Sequence, residues 1–310
     1  MAAALTATLG AVTSAHAAGY PSKPITLIVP YPPGGPNDTI ARAVSNELGK
    51  ILNTSVVIEN KPGASGNIGT ALAARAPADG YTLALPGSAL SINTVIYDNV
   101  KYQISDFRGV GLIAQGPVVA VAHPSANIKS VADIVQKAKA DPSALSYPSG
   151  GKGTSPHLAG ALLSKQAGIK LTHVPYKGTG EFIPDLLSGR VQVAFVSPLI
   201  AKQHVESGAL VPLATTGTKR LRGWEQLPTI AESGVPNVVM EPWYALVAPA
   251  ATPDDVVQTL NGALQKALQS PELKAQLFNL GLDAITGTAQ DADRAIVAEV
   301  QKWKGIELTD

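Results

Sequence analysis

The sequence lacks cysteine altogether, and it has little charge, few aromatic residues and no long hydrophobic run. Without cysteine in its 310 residues, the chain can form no disulfide, no thiolate metal site and no cysteine nucleophile. Its net charge of +1 gives no reason to expect a nucleic acid or an anionic membrane surface as a partner. No run reaches the roughly 20 apolar residues that a membrane-spanning helix needs.

Motifs for catalysis and cofactor binding are also missing. Ser65 lies in Gly-Ala-Ser-Gly-Asn, which does not match the G-x-S-x-G nucleophile elbow. The loop at Lys152 lacks the G-x-x-x-x-G-K-[ST] spacing of a nucleotide phosphate loop. The histidines are scattered, without the spacing of a zinc site. We therefore expect no enzyme and no metal or organic cofactor, although the sequence leaves open a catalytic triad that only folding would assemble.

What the sequence does contain is typical of a globular protein with two lobes. Hydrophobic residues make up 45% of the chain and charged residues 15%, which excludes a disordered chain. At 310 residues, it is too long for one typical core. Residues 1–18 are small and apolar and end in Ala15-His16-Ala17, an A-x-A cleavage pattern. We interpret them as part of a secretory signal peptide whose basic start lies upstream, and we expect a periplasmic protein.

Three strand–loop–helix units follow, each with a loop rich in Gly, Pro, Ser or Asn. The first is the β-branched run Ile25–Val29, which stops at Pro30 and leads to a helix that Asn37 or Asp38 can cap. Such units predict a parallel sheet with its loops at one edge, where ligands bind. A helix N-terminus at such a loop favours an anion. The predicted strands are residues 25–29, 56–58 and 81–85, followed by loops 30–37, 60–67 and 86–88.

The pattern repeats after a crossing strand. Residues 109–123 are β-prone, and three more strand–loop–helix units follow them. A second β-prone segment at 243–248 brings the chain back. We therefore predict an α/β fold of two lobes, with two crossing segments that form a hinge beside a ligand cleft. Lobe 1 is predicted to comprise residues 19–120 and 246–310, and lobe 2 residues 121–245.

A series of motifs between about residue 20 and the C-terminus resembles the Bug family. These proteins are the extracytoplasmic substrate-binding receptors of tripartite tricarboxylate transporters. Each motif is weak alone, and their order along the chain makes the resemblance specific. The motifs include Tyr31-Pro32-Pro33-Gly34-Gly35, Gly63-Ala64-Ser65-Gly66-Asn67, Gly153-Thr154-Ser155-Pro156-His157, Val174-Pro175-Tyr176-Lys177-Gly178 and Leu227-Pro228-Thr229-Ile230.

The resemblance implies a two-lobed, type II periplasmic-binding-protein fold that closes on a small carboxylate. It also implies delivery of that ligand to membrane subunits of a tripartite tricarboxylate transporter. We expect a monomer that binds no nucleic acid. Two alternatives stay open: a sensory receptor for the same acids, and an α/β enzyme that acts on a carboxylated substrate.

The resemblance also places ligand contacts in both lobes. In the family, the Pro-Pro-Gly-Gly loop and the Gly-Asn-Ile-Gly loop contact a ligand carboxylate, partly through ordered waters, and a third loop supplies a hydroxyl. The implied contacts in the first lobe are Tyr31, Pro32, Gly34, Asn37, Asp38, Ser65, Gly66, Asn67 and Ser88. The implied contacts in the second lobe are Gly153, Thr154, Ser155, His157 and Ser197.

Ser197 departs from the family pattern, because relatives often carry Asp or Asn at this position. An aspartate would suit a ligand ammonium group, so the serine favours plain mono- or dicarboxylates, aliphatic or aromatic, over amino acids. Asp38 is suited to capping a helix as well as to a ligand contact. Lys152 and Lys177 could each pair with a second carboxylate, although lysines in loops are usually solvated.

Overall fold

The computed structural model describes residues 19–306 as two groups of strands with helices packed around them. The proposed signal peptide, residues 1–18, and the terminal residues 307–310 lie outside the described part of the chain. Within residues 19–306, no helix is long and apolar enough to cross a membrane. The same residues include no group of three or more His, Asp or Glu side chains that could hold a metal ion.

The secondary structure alternates strands and helices along most of the chain. The strands are β1 (Ile25–Val29), β2 (Val56–Asn60), β3 (Thr82–Ala84), β4 (Phe107–Gln115), β5 (Val119–Ala122), β6 (Ser146–Ser149), β7 (Thr172–Pro175), β8 (Val193–Val196), β9 (Val211–Thr215), β10 (Trp243–Pro249) and β11 (Asp283–Ala284). The helices are α1 (Pro36–Leu52), α2 (Asn67–Ala74), α3 (Ala89–Ile96), α4 (Val131–Ala140), α5 (Ser155–Ala167), α6 (Thr179–Leu187), α7 (Pro198–Glu206), α8 (Asp254–Ala267), α9 (Pro271–Asn279) and α10 (Ala289–Trp303).

A six-stranded sheet with the order β11-β4-β10-β3-β1-β2 forms the first lobe together with its helices. Strand β1 is parallel to β2 and β3, which confirms the parallel arrangement predicted for the first three units. Strand β10 is antiparallel to both β3 and β4. The returning segment therefore enters the middle of the sheet, between strands that lie earlier in the sequence.

The second lobe contains a three-stranded sheet of order β8-β5-β9 and a parallel pair, β6-β7. In the last of the three strand–loop–helix units predicted for this lobe, the strand does not join a parallel sheet. This strand, β8, pairs antiparallel with the crossing strand β5. Strand β9 was not predicted. Pro212 interrupts its sequence pattern, and the strand lies at the edge of the sheet, where proline is tolerated.

The chain passes between the lobes in two places. It leaves the first sheet at Gln115 and enters the second at Val119. It returns between Thr215 and Trp243. The two crossings therefore lie close to the segments predicted from the sequence. The exact lobe boundaries near residues 120 and 245 stay a prediction.

Each lobe has its own hydrophobic core. In the first, Leu27 and Val29 of β1 pack with Ile40 and Val44 of α1 and with Leu264 of α8. The second has buried clusters on both faces of its three-stranded sheet. Full burial of such a side chain contributes about 1.5–3 kcal/mol. Each lobe therefore has a substantial apolar core, and Ile92 of α3 and Trp303 of α10 also pack in the core of the second lobe.

Helix α10 bridges the two cores. Its residues Ala292 and Ile296 pack in a cluster of the first lobe, whereas Trp303 belongs to a cluster of the second. Between them, the buried carboxylate of Glu299 accepts hydrogen bonds from Trp243 Nε1 at 3.1 Å and Trp303 Nε1 at 2.6 Å. These two bonds join strand β10 to the end of helix α10, and that end packs against the second lobe through Trp303.

Candidate functional site

A cavity of about 270 Å³ lies between the lobes, beyond the carboxyl ends of β1, β3, β6 and β8. Helices α1, α3, α5, α6 and α7 begin at its wall. Helix N-termini present unpaired N–H groups and the positive end of the helix dipole, so this cavity favours an anion. The predicted contacts that line it are Tyr31, Pro32, Gly34, Asn37, Ser88, Gly153, Thr154, Ser155 and Ser197.

None of these five helices has a side-chain cap. The cap positions are Gly35 for α1, Ser88 for α3, Thr154 for α5, Gly178 for α6 and Ser197 for α7, and no side-chain oxygen accepts from the following N–H groups. Serine and threonine usually make that bond. At the starts of α1, α5, α6 and α7, some of the first N–H groups are therefore left for another acceptor, whereas at α3 the N–H groups of Leu90 and Ser91 donate to Gly87 O and Ser88 O.

Asp38 lies outside the cavity lining, and its predicted role as the N-cap of α1 is wrong. The helix begins at Pro36, with the extended Gly35 as its cap, because proline is preorganised for the first helical position. The buried Asp38 carboxylate accepts from Gly34 N at 2.9 Å and from the side chains of Arg42 and Asn60. It therefore holds the glycine loop in place from behind.

The pKa of the Asp38 carboxyl is lowered from its ordinary value. Burial alone would raise it. The hydrogen bonds from Arg42, Gly34 and Asn60, together with the positive charge of Arg42, outweigh that effect. The loop that lines the cavity is thus fixed by an ionised group beneath it.

Ser65, Gly66 and Asn67 also lie outside the cavity lining. Ser65 has a positive φ of 54° and shares a hydrogen bond of 2.9 Å between its Oγ and the Tyr97 hydroxyl. Gly66 packs against the Tyr31 ring, where a Cβ would come within 3.0 Å. Asn67 Oδ1 accepts from Asn93 Nδ2 at 2.9 Å. Direct ligand contact by these residues stays a prediction, and their observed contacts support the wall behind Tyr31.

Two largely buried residues at the first-lobe wall have hydroxyl groups that make no hydrogen bond with any described residue. They are Ser88, which is 4% exposed, and Tyr244, which is 7% exposed. Ser88 N donates to Trp243 O at 3.0 Å, so the backbone of this loop is fixed while the hydroxyl is not used. Burial raises the pKa of the Tyr244 hydroxyl, which therefore stays protonated and can donate to an anion. The sequence did not predict Tyr244 as a ligand contact, because residues 243–248 were interpreted only as a crossing segment.

The loop after β6 forms the second-lobe wall. Thr154 Oγ1 donates to Gly151 O at 2.7 Å, and Gly153 N donates to His157 Nδ1 at 3.2 Å. His157 is fully buried, outside the cavity lining, with its ring 4.5 Å from that of His173. Thr154 and His157 thus shape this loop, and the predicted ligand contact of His157 stays a prediction. The hydroxyls of Ser155 and Ser197 make no hydrogen bond with residues 19–306.

Lys177 is the basic side chain of the described lining, whereas Lys152 does not line the cavity. The backbone N–H of Lys177 donates to Glu181 Oε2 at 3.0 Å, and Glu181 also lies at the wall. The rest of the lining is mainly apolar and was not predicted from the sequence. It includes Phe195, Leu199, Ile200, Trp243, Leu280 and Leu282.

The lobes touch on both sides of the cavity. On one side, the Tyr97 hydroxyl of the first lobe donates to Lys152 O of the second at 2.7 Å. On the other side, a Cβ on Gly281 would lie only 2.3 Å from Pro198 Cβ, so these two residues are packed closely. The cavity is therefore enclosed by contacts that depend on the relative position of the lobes.

Comparison with known proteins agrees with this geometry. A sequence model described as "Tripartite tricarboxylate transporter family receptor" matches residues 40–308. The protein BugT of Bordetella pertussis is 32% identical over 303 residues, which cover 97% of this chain and 93% of BugT.

Two solved structures are similar over nearly the whole fold. One is R. palustris Rpa4515 with adipate, which is 34% identical with a TM-score of 0.87 and covers 92% of this chain and 96% of its own. The other is the periplasmic binding protein BugD, which is 31% identical with a TM-score of 0.86 and the same coverage. The fold predicted from the sequence is thus confirmed as that of periplasmic binding proteins. The chain belongs to the tripartite tricarboxylate transporter receptor family, which includes the Bug proteins.

Proposed function

We propose that this protein is a periplasmic solute-binding protein that captures a small carboxylate between its lobes and delivers it to a tripartite tricarboxylate-type transporter. The observation that carries the proposal is the group of five helix starts without side-chain caps around one cavity. Moving a carboxylate out of water costs several kcal/mol. One helix N-terminus contributes about 0.3–1 kcal/mol and one hydrogen bond to a charged group about 1.5–3 kcal/mol, so several must act together.

The ligand is a plain mono- or dicarboxylate rather than an amino acid. Ser197 supplies no counter-charge for an ammonium group, and the acidic side chain of the described lining, Glu181, already accepts from Lys177 N. The adipate bound to Rpa4515 supports a carboxylate ligand in this family member too. Hydroxyls of Ser88, Ser155, Ser197 and Tyr244 supplement the backbone N–H groups.

Capture proceeds by closure of the two lobes about the crossing segments near residues 120 and 245. Closure removes water from the cavity and strengthens its polar contacts. It also creates a distinct surface that a membrane subunit can recognise. The protein acts as a monomer and is exported by the signal peptide that ends near residue 18. It returns its ligand unchanged, because the described lining includes no histidine beside a serine or other nucleophile.

A thermal-shift screen tests the proposal. Mono-, di- and tricarboxylates, aromatic acids and amino acids are each added to the mature protein. A ligand at about 100 times its dissociation constant adds roughly 2.7 kcal/mol to the free energy of unfolding. We expect plain carboxylates to raise the melting temperature and to be recovered unchanged. Stabilisation by amino acids alone would refute the interpretation of Ser197, and turnover of the ligand would identify an enzyme.

The variant Ser197→Asp tests ligand class directly. The new carboxylate should weaken binding of plain acids about tenfold or more through like-charge repulsion. Amino acids, which carry an ammonium group, should gain affinity. A variant that binds plain acids as the wild type does would place Ser197 away from the ligand.

A further inference from the structure

The cavity is polar on one side and apolar on the other. The apolar side, which we call the leucine wall, consists of Leu199 and Ile200 from the start of α7 with Leu280 and Leu282 from the turn after α9. Leu282 is 6% exposed, whereas Leu199 is 41% exposed and lies at the rim. An apolar side chain exposed inside a cleft is stabilised when an apolar ligand group covers it.

The leucine wall is built by close packing between the lobes. Gly281, between the two leucines of the turn, contacts Pro198, and a Cβ there would lie 2.3 Å from Pro198 Cβ. Gly116 of the first crossing segment lies behind them, where a Cβ would come within 2.8 Å of Leu282 Cδ2. The wall therefore assembles only when the lobes take these positions, and its shape is fixed by the hinge.

No side chain of the leucine wall can neutralise an anion. The nearby Arg222 is on the outer surface, where its guanidinium pairs with Asp283 at 3.3 Å and lies 4.7 Å from the Phe278 ring centroid. Lys177 belongs to the other side, because its neighbour Gly178 packs against Pro32 of the first-lobe loop. At the wall itself, one helix start, that of α7, offers N–H groups. A second carboxylate would be poorly compensated there.

We infer that the ligand is a monocarboxylate with an extended apolar body, alkyl or aryl, and that Leu199, Ile200, Leu280 and Leu282 select it. This inference rests on the proposed function, since the carboxylate end must lie at the helix starts. The acid group then binds N–H groups and hydroxyls, and the body covers the leucine wall. Chain length and shape of the body set affinity.

Calorimetric titration of the mature protein with acetate, butanoate, hexanoate, benzoate and the dicarboxylate adipate tests the inference. Affinity should rise about fourfold for each added methylene, the value expected from about 0.8 kcal/mol per buried CH₂ group. Hexanoate should bind at least tenfold more tightly than adipate, which has the same length and a second charge. Equal affinity along the series, or tighter binding of adipate, overturns the inference while leaving carboxylate binding intact. If none of the acids binds, the proposed function itself fails.

A matched pair of variants locates the effect. Leu199→Asn changes an exposed side chain and should not impair folding, and it should weaken hexanoate at least fivefold more than it weakens acetate. Leu72→Asn, on the outer face of α2 at 47% exposure, is the control and should change neither acid. Equal weakening of acetate and hexanoate by Leu199→Asn would contradict a role in selecting the apolar body.

Discussion

The five helices that begin at the cavity differ from three of the helices that begin away from it. Helices α4, α9 and α10 have Ser130, Ser270 and Thr288 at the cap, and each side chain accepts an N–H of the first turn. Helices α2 and α8 also begin away from the cavity, and their cap positions are Gly66 and Pro253, which offer no side-chain oxygen. At the cavity, Ser88 and Ser197 occupy the same position and make no such bond. A cap contributes about 0.5–2 kcal/mol. The helices at the cavity thus lack the stabilisation of a side-chain cap at the place where a ligand oxygen can accept the hydrogen bond instead.

The largest effect should come from Asp38→Ala, which removes the support of the cavity loop. It leaves Arg42, Asn60 and Gly34 N without their acceptor and should cost about 2–4 kcal/mol in urea unfolding, with weaker ligand binding. The matched control is Asp133→Ala. Asp133 holds the same position in α4 and accepts from Lys129 N, away from the cavity. Asp133→Ala should reduce stability less than Asp38→Ala does and should leave affinity unchanged. Equal losses would remove the distinction between the two regions.

The second-largest effect should come from Tyr244→Phe, which should lower the affinity for carboxylates. The ring stays in place, and one hydroxyl that can donate to the ligand is lost. A hydrogen bond to a charged group is worth about 1.5–3 kcal/mol, which corresponds to roughly 10- to 150-fold in affinity. The control is Tyr102→Phe, since that hydroxyl donates to Leu90 O in the core and should affect stability alone. If both variants bind normally, Tyr244 is not part of the site.

Ser88→Ala and Ser130→Ala should have opposite consequences. Ser88→Ala should reduce affinity about tenfold with little change in stability, because its hydroxyl makes no hydrogen bond with any of residues 19–306. Ser130→Ala should cost about 1 kcal/mol of stability and leave affinity unchanged. Calorimetric titration measures the ligand affinity of each variant, and urea unfolding measures its stability. A stability loss in Ser88→Ala would show that its hydroxyl supports the fold.

Tyr97→Phe should weaken binding by about 2- to 12-fold, because the closed form loses one hydrogen bond between lobes worth about 0.5–1.5 kcal/mol. The loss should appear as faster ligand release in stopped-flow measurements. Unchanged release would indicate that this contact does not favour closure.

The smallest effect is the pH dependence that Asp38 gives to the first-lobe wall. Its pKa is lower in the folded chain than the ordinary value of about 3.9. Its contribution is therefore fully present above that value and is lost as the pH falls through the folded pKa. As the pH falls below about 4, the wild type should lose more stability than Asp38→Asn. Several other carboxyls have lowered pKa values, and the difference between the two proteins isolates Asp38.

Local sequence predicted most of the framework. The β-branched run that ends at Pro30 forms strand β1, and the loops after the first three predicted strands lead into helices α1, α2 and α3. The predicted contacts that line the cavity lie where loops follow strands, as at Tyr31, Ser88 and Thr154, and ligand binding by them stays a prediction. The cavity lining was not predicted where distant segments meet.

Parts of the cavity could not be predicted from the sequence because they depend on contacts between distant segments. Tyr244 and Leu282 reach the cavity only because β10 enters the middle of the first sheet and the turn after α9 packs on Pro198. The Ser65 loop is rich in glycine, like a ligand loop, and its positive φ values turn it towards the second lobe instead. Neither outcome is encoded in local spacing.

The Glu299 carboxylate accepts hydrogen bonds from two indoles, those of Trp243 and Trp303, so the intrinsic tryptophan fluorescence of the protein can report on the cavity. Of its three tryptophans, Trp243 lines the cavity and Trp303 packs in a cluster with second-lobe residues. Ligand capture at the cavity and movement of the second lobe against Trp303 would therefore change the environments of these two fluorophores. Replacing the third, Trp224, with phenylalanine would leave an emission signal that follows ligand capture in real time without an attached dye.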